Sequence, residues 1–231
     1  MELVDTRDLK SLEGNFVPVQ VRLWAPFYYD SSMIKFLEHS SEKPYKHFKS
    51  LHDHALENNQ RGIEVISVSS YDKENKEVEA RYVNLKYIIN NEWIFFSNYL
   101  SPKAVQFKSH SQVSILIYWG NINTQIRMKA KIFKTLPKFS DEHFQGRTIE
   151  KNALAISSSQ SKVIESYDEV AKNFYSTLKS MTAKTARPEF WGGFSFIPYY
   201  FEFWQGHENR LNKRHVFEQH ENKWEERFLQ P

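Results

Sequence analysis

Cysteine is missing from all 231 residues. Composition alone therefore excludes disulfide staples, thiolate nucleophiles, iron–sulfur clusters and cysteine-held zinc. Glycine is scarce, with 7 residues, and neither G-x-G-x-x-G nor G-x-x-x-x-G-K-[ST] occurs. A phosphate-cradling glycine loop is not expected. No apolar run approaches the roughly 18 residues of a membrane span, and MELVDTRDLK at the start has no basic-then-apolar leader pattern. A soluble, cytoplasmic protein with no membrane partner is the expectation. An excess of one charge sign is also lacking: 31 Lys and Arg, spread along the chain, face 28 Asp and Glu, for a net +3. Nucleic-acid binding needs clustered basic charge, so no such partner is expected.

What the chain does have is aromatic content, 16%, within a composition that is 40% hydrophobic and 26% charged. That mixture can build a core and argues against disorder throughout. Residues 1–40 show no sustained periodicity and are expected to form an N-terminal arm. From Ser41, the spacing of Tyr45, Phe48, Leu51, Ala55 and Leu56 predicts a helix that NNQRG stops. The period then changes. Residues 63–70, 77–89, 92–97, 112–119 and 124–134 are β-rich runs separated by turn signals. SPKAVQFKSH interrupts them as a helix, with Ser101 as cap and Pro102 at the first helical position. A second helical zone opens at SDEHFQGR with Ser140 as cap. A helix running from 140 to 151 would set His143, Arg147 and Lys151 on one face. Ser166 to Glu169 form a capping box ahead of Val170, Phe174, Leu178 and Met181. The chain ends in strands at 190–204, 214–219 and 223–229. No repeat or linker divides residues 41–231, which are expected to be one domain, mainly β with helical additions (α+β), arranged as an antiparallel barrel.

Single polar positions are ambiguous by spacing. Arg81 and Lys86 lie five apart on one strand and point to opposite faces unless a bulge intervenes. Lys103 sits in the first turn of a helix whose free N–H groups suit a phosphate. Gln125 reads as an ordinary edge residue, and SSSQSK (157–162) as either a loop or a ligand rim. His52 and His54, two apart on a helix, do not face each other and read as surface histidines rather than metal ligands.

FEFWQGHENRLNKR, residues 201–214, is different in kind. Phe201, Phe203 and Trp204 run straight into Arg210, Lys213 and Arg214, a set suited to stacking on something flat while neutralising something negative. The string resembles the C-terminal signature of the pyridoxamine 5'-phosphate oxidase family: E-F-W-Q-G, then R-L-H-D-R, then a final R-L-x-P, here RFLQP. FWGGF (190–194) matches as well. Upstream, RYVNLK is similar to the family's R-x-V-L-L-K, FFSNYLSPK to Y-T-N-x-x-S-R-K, NTQIRM to R-Q-V-x-V, and SSQS to S-K-Q-S. Order and approximate spacing are kept from about residue 45 to 231.

The resemblance implies an FMN-binding split β-barrel, homodimeric, with FMN at the subunit interface and a segment from about 190 to 231 serving dimerisation and substrate. Carried over position by position, it assigns Arg81, Lys86, Phe96, Ser97, Lys103, Gln125, Gln160, Ser161, Trp204 and Arg214 to the flavin. It assigns Lys86, His143, Arg147, Lys151, Arg210 and Asn212 to the substrate, with Arg210 and Asn212 as the catalytic pair, and it implies no metal. The implied reaction oxidises pyridoxamine or pyridoxine 5'-phosphate to pyridoxal 5'-phosphate by hydride transfer to the flavin. O2 is the acceptor and H2O2 the product.

Departures from the pattern gather where the substrate would sit. The family's Y-F-x-x-R…S is His143-Phe144-Gln145-Gly146-Arg147…Lys151 here, and R-L-H is Arg210-Leu211-Asn212. S-R-K is Ser101-Pro102-Lys103, one cation fewer for the flavin phosphate. The cations that remain still suit a small anionic substrate. Two other readings stay open: a pathway-specific flavin oxidase of secondary metabolism, like the phenazine-biosynthesis oxidases, and a non-catalytic flavin-binding module.

Overall fold

Period-2 burial marks the strands of the computed structural model, which describes residues 33–182 and 184–231. The expected arm lies outside the described residues up to residue 32. Along β5 (Gln112–Trp119), Val113, Ile115, Ile117 and Trp119 are buried, while Ser114, Leu116 and Tyr118 face out. Along β6 (Thr124–Lys134), Ile126, Met128, Ala130 and Ile132 go in and Arg127, Lys129 and Lys131 go out. This alternation belongs to a sheet with one face on the core and one wet. The other strands are β1 (Lys35–His39), β2 (Val65–Asp72), β3 (Glu77–Asn90), β4 (Glu92–Asn98), β7 (Trp191–Gln205), β8 (Lys213–His220) and β9 (Lys223–Leu229). Helices are α1 (Lys43–Glu57), α2 (Pro102–Ser109), α3 (Pro137–Gln145), α4 (Ile149–Ser157) and α5 (Tyr167–Ser180).

The strand order is β1-β3-β2-β5-β6-β7-β8-β9, and β4 pairs with both β3 and β7. Strands β3, β2, β5, β6, β7 and β4 therefore close a circuit. All pairs are antiparallel except β1 with β3, which is parallel and draws residues 35–39 of the expected arm into the sheet. Strand β7 is shared. Its first part, Trp191–Phe196, pairs with β4, and its last, Tyr200–Gln205, pairs with β8, while β6 runs along the opposite edge.

Helix α1 plugs the barrel. Tyr45, Phe48, His52 and Ala55 lie on one helical face and are buried. Phe48 meets Trp93 at 4.4 Å and Trp119 at 5.5 Å between ring centroids. Burial of such side chains contributes about 1.5–3 kcal/mol each. His52 is thus not a surface residue: it is 3% exposed, with its ring 4.9 Å from that of Phe36. Helical phase, which puts 45, 48, 52 and 55 in line, decides its place; His54 points out.

Helix ends differ from expectation in two places. Ser101 occupies the N-cap of α2, yet its hydroxyl donates to Asn98 O at 2.7 Å and caps nothing. Residues 140–151 are not one helix. Helix α3 starts at Pro137 and stops at Gln145, and Thr148 opens α4 by accepting from Lys151 N. The cap bond competes with helix continuation and breaks it there. Ser140 lies inside α3, fully buried, and accepts from Gly193 N at 3.0 Å. Ser166 does cap α5, accepting from Glu169 N. Gln125 is not on an edge, because β6 lies between β5 and β7. Among the described residues no helix is long and apolar enough to cross a membrane.

The glycine pair of FWGGF lets α3 and Tyr99 close onto β7. A Cβ on Gly192 would lie 2.3 Å from Tyr99 Oη, and one on Gly193 2.6 Å from Thr135 Oγ1. Gly192→Ala should destabilise the protein by about 1–3 kcal/mol through overpacking. Urea denaturation measures this, and an unchanged midpoint would show that Tyr99 yields freely.

Candidate functional site

Three polar groups stand out on this frame. The first gathers where β4 turns into α2. Lys103 is 7% exposed, with Nζ 3.3 Å from Ser97 Oγ and 3.5 Å from Ser101 Oγ. Ser97 Oγ and Asn98 N both donate to Gln160 Oε1, at 3.2 and 3.3 Å. One turn along α2, Gln106 Oε1 accepts from Ser70 Oγ at 2.5 Å and from Arg81 Nη2 at 3.0 Å. Arg81 also donates to Ser70 Oγ at 2.6 Å and pairs with Glu79 at 2.8 Å. Burial, then the nearby Arg81, push the Lys103 ammonium below its ordinary range. Gln106 Nε2 is buried and lies near the Asp72 carboxylate. Two cations, Lys103 and Arg81, suit an anion with several acceptor oxygens, such as a phosphate.

The second group is a row. Tyr118, Gln125, Trp204 and Arg214 are successive cross-strand partners on β5, β6, β7 and β8. Beside it, Glu202, with a side chain 3% exposed, accepts from Arg214 Nε at 2.8 Å, Arg127 Nη1 at 3.0 Å and Tyr200 Oη at 3.1 Å. Burial opposes its charge, but the hydrogen bonds from Arg214 and Tyr200 and the charge of Arg127 outweigh burial and hold the carboxyl below its ordinary range. Glu202 thereby orients Arg214.

The third group is an aromatic stack edged with cations. His143 lies 3.6 Å from Phe96 between ring centroids, at 13°, and nearly parallel to Trp191 at 6.1 Å. Its Nδ1 is 2.9 Å from Tyr87 Oη. Arg147, in the break between α3 and α4, sets its guanidinium 4.4 Å over Trp191 and donates from Nη2 to Lys151 O at 2.9 Å. Its Nη1 is buried without a partner among the described residues. Burial lowers Arg147 to about 10. Burial, with Arg147, Lys86, Lys35 and Lys151 around it, pushes His143 down to about 3, so the ring is neutral at pH 7. Lys86 is lowered by burial and by Lys151, Arg147 and Lys35, against the opposing pull of Glu64.

Lys86, which belongs to this group, sits at a bulge. Leu85 pairs with Phe95 and Tyr87 with Ile94, leaving Lys86 as the extra residue of β3. Arg81 and Lys86 belong to different groups, the first beside Lys103 and the second beside Arg147, as their odd spacing along the strand allows. A broken helix still brings His143, Arg147 and Lys151 together. Arg210 and Asn212 lie in the loop between β7 and β8; Arg210 is exposed with φ 60°, and Asn212 Oδ1 accepts from His207 N at 3.0 Å. Neither touches the aromatic stack among the described contacts. Ser161, in the exposed loop after α4, has φ 66°. Sequence reasoning missed Gln106, Glu202, Tyr87, Trp191 and Lys35. Trp191 and Glu202 stand inside motifs already noticed, whereas Lys35, the Cα partner of Tyr87, sits in a stretch without periodicity. No group of three or more His, Asp or Glu suited to a metal occurs among the described residues.

Solved structures share this architecture. PhzG from Burkholderia lata 383, in complex with tetrahydrophenazine-1-carboxylic acid, superposes with TM-score 0.77 at 21% identity, over 82% of this chain and 93% of its own. A pyridoxamine 5'-phosphate oxidase-related, FMN binding protein from Nostoc punctiforme gives TM-score 0.65 at 14% identity, over 83% and 99%. The fold is thus the split barrel of FMN-binding proteins. The profile of the pyridoxine 5'-phosphate oxidase C-terminal dimerisation region matches residues 191–231. The pyridoxine/pyridoxamine 5'-phosphate oxidase of Legionella pneumophila (strain Lens) is 31% identical over 204 residues, 87% of this chain and 94% of its own length. That of Leptospira biflexa is 35% identical over 153 residues, 66% of this chain and 72% of its own. The chain belongs to the pyridoxine/pyridoxamine 5'-phosphate oxidase family, and is by that membership a flavin-dependent oxidoreductase.

The lowered His143 has a consequence for stability. Between about pH 6.5 and about 3 the unfolded chain holds a proton on this ring that the folded chain lacks, so stability falls as pH falls through that window. His143→Phe should reduce the loss between pH 7 and pH 5 by about 1 kcal/mol after allowance for screening. His47 and His52 are also lowered, so a slope remains. Urea midpoints at the two pH values measure it; an unchanged slope would mean that His143 is protonated in the fold.

Proposed function

We propose that this protein is an FMN-dependent oxidase of pyridoxamine and pyridoxine 5'-phosphate, forming pyridoxal 5'-phosphate with O2 as acceptor and H2O2 as product. The observation that carries the reading is Arg147: a guanidinium packed on Trp191, with a buried donor unanswered, among Lys86, Lys151 and Lys35. A phosphate monoester fits such a site, and the flat neighbours Phe96, His143 and Trp191 suit an aromatic ring. The relatives named above support the choice of substrate.

The flavin would be held in two parts. Arg81, Ser97, Lys103 and Gln160, with Gln106, suit its phosphate end; Gln125, Trp204 and Arg214 form a row on another part of the sheet. In our reading a second copy of the chain brings its row against the first group, giving a homodimer. The dimerisation-region profile over residues 191–231 supports this, as do Val78, Tyr82 and Tyr118, exposed on β3 and β5. Bound there, FMN supplies the acceptor for a hydride from the substrate carbon. The chain's own part is to bind and orient. Arg147, Lys86 and Lys151 take the substrate phosphate, and Glu202 keeps Arg214 aimed. Arg210 and Asn212 are proposed to reach the reacting carbon from the loop after β7.

The purified protein should be yellow and release peroxide with pyridoxine 5'-phosphate but far less with unphosphorylated pyridoxine. A colourless protein that gains no flavin absorbance on adding FMN would overturn the reading. Equal rates with both substrates would overturn the phosphate assignment, and flavin binding without turnover of either would leave a binding module.

The two parts should separate by mutation. Arg147→Ala should raise the KM for the phosphorylated substrate roughly 10- to 150-fold, the scale of a charge-assisted bond, with flavin content unchanged. Trp204→Ala should lose flavin and stay folded. Absorbance, circular dichroism and steady-state rates measure both. Flavin loss in the first variant or unfolding of the second would refute the division.

A further inference from the structure

We propose that Tyr87 is a positioning residue: its hydroxyl donates to His143 Nδ1, so that the neutral imidazole presents Nε2–H to the anionic group of the substrate. This rests on the anion site proposed above. A neutral imidazole has one donor and one acceptor nitrogen, and the partner of one nitrogen fixes the role of the other. The Tyr87 Oη to His143 Nδ1 separation is 2.9 Å. Burial pushes the Tyr87 phenol up, so it keeps its proton throughout the working range. A phenol O–H is a better donor than a neutral imidazole N–H, and an imidazole nitrogen a better acceptor than a phenol oxygen. The pair is therefore matched in one direction.

The ring plane is clamped as well. Phe96 and Trp191 lie nearly parallel to His143, and the Tyr87 ring stands edge-on to it at 86°. A flip within the stack would keep the plane but lose the Tyr87 bond. Burial, with the cations around it, keeps His143 uncharged, so it cannot serve the substrate as another cation. A fixed neutral donor remains. That is the chemistry of the tyrosine that the family pattern carries at this position, and histidine delivers it only with a second residue to choose its tautomer.

The test uses the full-length, FMN-loaded protein with 15N-labelled histidine. At pH 7, with and without inorganic phosphate, His143 should show a protonated Nε2 and an unprotonated Nδ1. A proton on Nδ1 would overturn the proposal by itself. Tyr87→Phe should mix the tautomers and raise the KM for pyridoxine 5'-phosphate roughly 2- to 12-fold, the worth of one neutral hydrogen bond, with kcat and flavin content changed less than twofold. Adding His143→Tyr to that variant should restore the KM, because a hydroxyl needs no tautomer partner. An unchanged KM in Tyr87→Phe, or no rescue in a folded double variant, would also overturn it. If the wild type oxidises no phosphorylated vitamer, the proposed function fails separately. The tautomer and the affinity for inorganic phosphate by calorimetry, compared between wild type and Tyr87→Phe, still decide the role of Tyr87.

Discussion

A β-strand has only two hydrogen-bonding edges, and β7 divides one of its two between β4 and β8. The rest of the molecule follows from that division. The half that meets β4 closes the barrel and carries Trp191 beside Phe96, because Gly193 pairs with Phe96 across the two strands. The half that meets β8 carries Trp204 and Arg214 as direct partners. One continuous strand thus bears both the stacking surface of the proposed anion site and the row assigned by resemblance to the flavin. The missing side chains of Gly192 and Gly193 are what let Tyr99, Thr135 and Ser140 come close enough to hold it in place.

Charge is organised locally in a protein whose overall balance is near neutral. Lys103 and Arg81 share their surroundings with Glu79, and Arg147, Lys86, Lys151 and Lys35 share theirs with Glu64. Burial and like charge push Lys103 and Lys86 toward neutrality, and burial does the same to Arg147, a cost that an incoming anion would relieve. Glu202 plays the opposite part on the outer face of β7, where one buried carboxylate fixes two arginines and a tyrosine hydroxyl. Strand β3 contributes to both cationic groups, Arg81 to one and Lys86 to the other.

Much of this was legible in the chain itself. Strong period-2 alternation in β5 and β6, and the turn signals between strands, mark the barrel. The C-terminal signature marks the family. What stayed hidden depends on geometry that spacing cannot express. A bulge leaves no residue signature of its own, so spacing left open whether Arg81 and Lys86 share a face; they fall in different groups. The helix over 140–151 failed because Thr148 offers its hydroxyl to a backbone N–H, a local competition that periodicity ignores. His52 is buried by the phase of α1, which its two-residue spacing from His54 does not express. Gln106 and Tyr87 matter only through the partners that folding gives them. Parallel pairing of β1 with β3 joins Lys35 to Tyr87 across some fifty residues, beyond the reach of any local pattern.

The late closure of the barrel by β7 also bears on how the chain can be made. Glu92 on β4 finds its partner Ser195 on β7, 103 residues further along. At ribosomal rates of about 5–20 residues per second, β4 waits roughly 5–20 s after it emerges before that edge can be covered. Through that interval the nascent chain presents an aromatic-rich strand, EWIFFS, with one row of backbone groups unpaired. Such an edge invites pairing with other chains. Synthesis is thus a stage at which this edge stands open to other chains.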